Sequence, residues 1–151
     1  MAWKEFWRVE DDESMARYKK GKGIHAGAVR FTMTFDLFRG GNRRQLGHGL
    51  PLHLDWRHRG RTGFISAYSN EEPAEVEARR RVSAGKSNVV IHWIGVPELK
   101  GPHRVEYRQV RRLMKDLGKK IPYKAYHNSK HEFVFLYYIP EHCVLKTFCC
   151  N

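Results

Sequence analysis

The spacing of apolar and polar positions changes from segment to segment along the chain. Lys4 to Val9 (KEFWRV) is a short aromatic and apolar run closed by the acidic stretch 10–13, which predicts a strand and a turn. Gly21, Gly23 and Gly27 then predict a loop. Between Val29 and Leu37 the odd positions are Val29, Phe31, Met33, Phe35 and Leu37, against Arg30, Thr32, Thr34 and Asp36, and this strict alternation predicts a half-buried strand. Arg39 to Pro51, rich in Gly, Arg and Asn, predicts a long surface loop.

Residues 62–68 (TGFISAY) predict a second short strand. A helix over 72–84 follows, with Ser69 or Asn70 as cap, Pro73 in the first turn, Glu75/Arg79 and Glu77/Arg81 as pairs along one face, and Gly85 as its stop. The β-branched run 88–96 (NVVIHWIGV), bounded by Gly85 and Pro97, predicts a buried strand. Tyr107, Val110, Met114 and Leu117 recur at helical spacing and predict a helix over 104–117 that ends at Gly118. Its other side would carry Arg104, Arg108, Arg111, Arg112, Lys115 and Lys119, a cationic stripe diluted by Glu106 and Asp116 alone. Residues 132–139 (EFVFLYYI), closed by Pro140, form the most strand-like segment. Short strands and internal helices without a regular strand-helix-strand alternation predict an α+β fold, and the absence of repeats or linkers predicts one domain over 1–151.

Composition narrows the function classes. The chain has 151 residues, 41% hydrophobic and 13% aromatic, with a net charge of +12 from 28 Lys plus Arg against 16 Asp plus Glu. So many aromatics exclude a disordered basic tail, and the charge predicts a folded domain that meets something anionic. No run approaches the roughly 18 to 20 apolar residues of a membrane span, and the first residues lack the apolar centre of a secretory signal. An intracellular protein, in cytoplasm or nucleus, with no membrane partner is therefore expected. Cys143, Cys149 and Cys150 crowd the end of the sequence in an odd number that closes no disulfide framework, and His142 beside Cys143 lacks the second ligand pair of a metal site. No metal is expected. Nucleotide-binding glycine loops, zincin helices and hydrolase elbows have no counterpart. HLDWRH (53–58) reads as a structural turn around a buried Trp56.

Three dispersed polar positions remain: Arg8 inside the first strand, Ser66 at the end of TGFIS, and Glu132 at the entrance of the last long strand. A charge inside an apolar strand is disfavoured unless it faces a cleft or a partner. Singly, each has an ordinary structural explanation.

The phrases FWRVEDDESMARY, HLDW, GFISAYSNEEPAEVEARRR and KHEFVFLYYIPEHCV, in this order, resemble a domain of unknown function widespread in filamentous fungi. More distantly, the same order resembles the cholera-toxin-like and pierisin-like ADP-ribosyltransferases. That resemblance implies a single-domain ADP-ribosyltransferase-like split β-sandwich with flanking helices, and a site that binds and cleaves NAD. By the resemblance, Arg8 matches the arginine that holds the NAD phosphates and braces the site, a task that suits a planar, permanently charged fork. Ser66 matches the first serine of the Ser-Thr-Ser motif, which orders the nicotinamide ribose and the glutamate. Glu132 matches the catalytic glutamate. Cleavage of the nicotinamide–ribose bond builds positive charge on the sugar, which a fixed carboxylate stabilises more in the transition state than in the ground state.

Two departures stand out. Ala67 and Tyr68 replace the middle of the Ser-Thr-Ser pattern, and Lys130 stands where the family commonly places Glu or Gln to orient the acceptor. Lysine is a donor only and suits an anionic acceptor. The leading expectation is an NAD-dependent mono-ADP-ribosyltransferase, toxin- or effector-like, acting on an acidic protein or nucleic-acid acceptor. The alternative is a non-catalytic phosphate- or nucleic-acid-binding module on the same fold, using Arg104, Arg108, Arg111, Arg112, Lys115 and the run Arg79-Arg80-Arg81. A third expectation is an effector that recognises a host protein.

Overall fold

In the computed structural model, which describes residues 3–28, 32–55, 60–98, 101, 104–127 and 129–150, the aromatic run at the start of the chain is strand β1, Trp3–Glu10. Its alternating side chains divide the molecule. Phe6 points to one face, where it packs with Ile65, Ile94 and Phe135, while Trp7 and Val9 point to the other. β1 pairs along its whole length with β5 (Val90–Pro97), from Trp3 opposite Pro97 to Glu10 opposite Val90. On its other side it meets β4 (Phe64–Tyr68) at a single registered pair, Trp7 with Tyr68. The two strands part beyond that pair, and the sheet is split there.

β4 pairs with β7 (Glu132–Leu136), β7 with β6 (Tyr107–Gln109), and β5 with β9 (Val144–Cys149), giving the order β6-β7-β4-β1-β5-β9. A second sheet has the order β2-β3-β8, from Arg17–Lys19, Gly23–His25 and Tyr138–Ile139. Ile24 and Ile139 of this small sheet share a core with Phe6, Ile65, Ile94 and Phe135. Each such buried side chain contributes roughly 1.5–3 kcal/mol. Helices cover the opposite face of the large sheet. Ala74 and Ala78 of α2 (Glu71–Ser83) lie on Val9 and Ile91. Leu46, Leu50 and Leu54 of α1 (Gly40–Leu54) pack with Leu113 and Met114 of α3 (Val110–Asp116) over Phe64 and Val134. The α+β class expected from the sequence is the observed one.

Several expectations are corrected. The segment 39–51 is not a loop but most of α1, because Leu46, Leu50 and Leu54 supply an apolar stripe that the glycines and arginines obscured. Gly49 brings the helix against the Phe64 ring, where an added Cβ would lie 3.3 Å from the ring carbon. The alternating stretch 29–37 is not a strand over its described part, 32–37, and 29–31 lie outside the described residues. Its apolar positions still bury, but among the described residues no strand pairs with it. Side chains satisfy the backbone instead: the Met33 N–H donates to Tyr137 Oη at 2.9 Å and the Thr34 N–H to Asn42 Oδ1 at 2.8 Å.

The glycine-rich loop contains the β2–β3 hairpin. The predicted helix 104–117 is helical only over Val110–Asp116, because Tyr107 to Gln109 form β6 against β7. The long strand 132–139 is two strands, broken at Tyr137, whose φ is 67°. There the chain passes from the large sheet to the small one, with the Tyr137 N–H donating to the Gly63 carbonyl and its carbonyl accepting from Ala26.

Candidate active site

The split between β1 and β4 opens into a cleft of about 540 Å³ whose walls include Arg8, His53, Ser66, Tyr68, Glu77 and Glu132. Its size falls within the roughly 300–1,000 Å³ of small-molecule sites. Register explains the convergence. Ser66 and Tyr68 of β4 lie opposite Val134 and Glu132 of β7, so Ser66 and Glu132 share one face of the sheet as diagonal neighbours. Arg8 lies opposite His92 on β5 and belongs to the other face, but the split lets its guanidinium reach across. Arg8 Nη1 donates to the Ser66 carbonyl at 2.9 Å and Nη2 to the Ala16 carbonyl at 2.8 Å. The three residues chosen from the sequence therefore meet in one place, although they are distant along the chain.

The Ser66 hydroxyl donates to Glu132 Oε2 at 2.7 Å. His53 Nε2 lies 2.8 Å from Ser66 Oγ, and His53 Nδ1 lies 2.6 Å from Thr62 Oγ1. A hydroxyl has one proton, and that of Ser66 is given to Glu132. His53 Nε2 is therefore the donor to Ser66, and in the neutral ring Nδ1 then accepts from Thr62. The result is a directed chain, Thr62 to His53 to Ser66 to Glu132.

Burial pushes the Glu132 carboxyl up to about 7, with Glu77 adding repulsion and the Ser66 hydrogen bond and the Arg8 charge opposing it. Burial lowers the Arg8 guanidinium to about 10, against the attraction of Glu10. Burial and the nearby Glu132 carboxylate raise the Tyr68 phenol. Arg8 Nε stands 3.8 Å from Glu10 Oε1, and Glu10 Oε1 lies 3.4 Å from His92 Nε2, so a buried charged network backs the arginine.

His53 was not among the residues chosen from the sequence, and its segment was expected to be a turn. It sits in the last turn of α1. The Leu46-Leu50-Leu54 spacing was the available signal for that helix, but nothing along the chain links position 53 to position 66. Trp56 and His58 lie outside the described residues.

Lys130 is exposed, its carbonyl accepting from Gln109 Nε2 at 3.0 Å, and it is not part of the cleft wall. The single cationic helix face also fails to form. Arg104 and Arg108 precede α3 and pair with Glu106, at 3.0 and 3.6 Å. Arg111 donates to Ser129 Oγ and the Tyr126 carbonyl, Arg112 pairs with Asp116 at 3.8 Å, and Lys115 lies in the last turn. In the arginine run, Arg80 and Arg81 pair with Glu77, and Arg81 also with Asp11. Among the described residues no group of three His, Cys, Asp or Glu is arranged to hold a metal ion, and no helix is long and apolar enough to cross a membrane.

The profile of the domain of unknown function DUF7587 matches residues 4–151. The chain belongs to that family. No curated protein matches it. Among solved structures it is similar to EcPltA, with a TM-score of 0.51 and 11% identity over 95% of this chain and 74% of that one. At this identity the DUF7587 chain shares a fold with EcPltA.

Proposed function

We propose that this cleft binds NAD and that the protein is an ADP-ribosyltransferase acting on an acidic protein or nucleic-acid acceptor. The observation that carries the reading is the Glu132 carboxylate, which is held by Ser66, backed by Arg8 and pushed up to about 7 in a cleft of suitable size. Likeness of fold to EcPltA, by its name a pertussis-like ADP-ribosyltransferase toxin subunit, supports it.

In this reading Glu132 accepts a hydrogen bond from a hydroxyl of the nicotinamide ribose. The bond between the sugar C1′ and the nicotinamide nitrogen breaks, and its electron pair goes to the nitrogen, so nicotinamide leaves neutral. Positive charge on the sugar grows as the bond lengthens, and the carboxylate stabilises it. The acceptor adds an electron pair to C1′ and releases its proton to Glu132 or water. Arg8 braces the split and presents its charge to the pyrophosphate. Ser66 and His53 fix the orientation of Glu132.

The test is incubation with NAD labelled in its ADP-ribose portion, with protein extract or nucleic acid as acceptor, following both nicotinamide release and label transfer. Release by the wild type and its loss in Glu132→Ala is the expected result. Equal release by both proteins overturns the assignment of Glu132, and no release by the wild type with any acceptor overturns the transferase.

A further inference from the structure

We propose that the cationic groove between α1 and the segment after α3 holds the sugar-phosphate backbone of a single-stranded nucleic acid beside the mouth of the cleft. The groove has a volume of about 550 Å³, and Arg43 and Arg44 from α1 face Lys119 and Lys120 across it. Among the described residues no carboxylate lines it. Arg44, Lys119 and Lys120 make no ion pair among the described residues, and Arg43 reaches only a backbone carbonyl, that of Asp116, at 2.6 Å. This differs from Arg104, Arg108 and Arg112 around α3, which Glu106 and Asp116 already pair. Like charges gathered without counter-charges are favourable only toward an anionic partner, whose binding releases condensed counterions.

Shape and apolar surface select the kind of anion. Leu52 lines both this groove and the cleft, so the two concave surfaces adjoin. A further hollow shares Ser14, Met15 and Gly27 with the cleft and carries Lys19, Lys22 and Arg61. Cations in both adjoining hollows suit a linear polyanion longer than the cleft. Among the described residues, the two most exposed large apolar side chains are Phe38, fully exposed, and Tyr123, 93% exposed. Phe38 lies two residues before the start of α1, and Tyr123 follows Lys120 after two residues. Both rings are close in sequence to the cations of the groove, and exposed rings beside a cationic track are what unpaired bases stack on, whereas a plain acidic peptide does not require them. Identification of the strand as acceptor rests on the transferase reading. Its binding does not.

The experiment is fluorescence anisotropy with a fluorescein-labelled 20-nucleotide oligodeoxythymidylate, titrated with full-length protein at several KCl concentrations. Arg44→Glu/Lys119→Glu is expected to weaken binding at least about tenfold near 0.1 M salt and to reduce the log-log salt slope by about 1.4, the value for two lost phosphate contacts on a single strand. The milder Arg44→Gln/Lys119→Gln should show the same direction. Arg79→Glu/Lys146→Glu, an equal charge change on α2 and β9, should leave both quantities within about twofold of wild type. Equal weakening by both reversed pairs, absence of binding at low salt, or tighter binding of polyglutamate of equal charge overturns the proposal. NAD cleavage without oligonucleotide binding sinks the groove alone, whereas binding without NAD cleavage leaves it standing and sinks the transferase.

Discussion

The Ser66 hydroxyl donates to the Glu132 carboxylate across two neighbouring antiparallel strands, at 2.7 Å, and so uses the only proton Ser66 has. Removing that donor has two consequences. Ser66→Ala should lower nicotinamide release about tenfold to a hundredfold, the worth of a hydrogen bond to a charged group. It should also shift the titration of Glu132 further upward, because the hydroxyl favours the ionised carboxylate. The pH profile of nicotinamide release checks this, and an unshifted acidic limb contradicts it.

His53 acts through Ser66 and is a positioning residue. In His53→Ala, Ser66 loses the donor at 2.8 Å and becomes free to rotate away from Glu132. Turnover should fall more than the KM for NAD rises, because the bond that is lost runs to Ser66, which orients the carboxylate. A rise in KM at unchanged turnover would place His53 in substrate binding instead.

Glu132 is a source of pH-dependent instability. Its folded value of about 7 exceeds the roughly 4.3 of an unfolded glutamate. The native state therefore binds more protons between these values, and stability falls as pH rises through that window. Glu132→Gln has no charge to bury, so its Tm advantage over wild type should grow by a few degrees, on the order of 1 kcal/mol, between pH 4 and pH 8. Thermal melts across that range provide the comparison, and a constant difference is the contrary result.

Arg8 is structural as well as electrostatic. Arg8→Met should cost about 2–4 kcal/mol, because it removes one of the charges beside the buried Glu10, which keeps Arg17 at 3.7 Å, and leaves the Ser66 and Ala16 carbonyls without that donor. Urea denaturation gives the value. A loss below about 1 kcal/mol, the scale of a surface pair, would show that Arg8 does not hold the split.

Gly23 has a φ of 82°, and a Cβ there would collide with the Ile139 carbonyl oxygen across the β3–β8 pair. Gly23→Ala should destabilise by more than about 2 kcal/mol, since it adds a left-handed backbone penalty to the clash. Gly21→Ala, at φ 81° with open space around it, should cost about 1–2 kcal/mol, the backbone penalty alone. Equal losses at the two sites would show that the close approach is unimportant.

Local patterning determined β1, β4, α2 and β5 almost to their ends, because each is an apolar run or a capped amphipathic stretch bounded by Gly, Pro or acidic residues. It also marked Arg8, Ser66 and Glu132 as polar residues on strands. What it could not convey was pairing. Tyr107 has helical spacing but sits in β6, because β7 offers it a backbone ladder, and the stretch 32–37 alternates like a strand but pairs with none of the described strands.

His53 became part of the site only when α1, packed on Phe64, set its ring between Thr62 and Ser66. The open charge likewise departs from the predicted helix face: carboxylates near in space pair Arg104, Arg108 and Arg112, while Lys119 of that stripe joins Arg43, Arg44 and Lys120 in a groove with no described carboxylate. Spacing along a chain fixes which way a side chain can point within its own element. Only the packing of those elements decides which side chains meet.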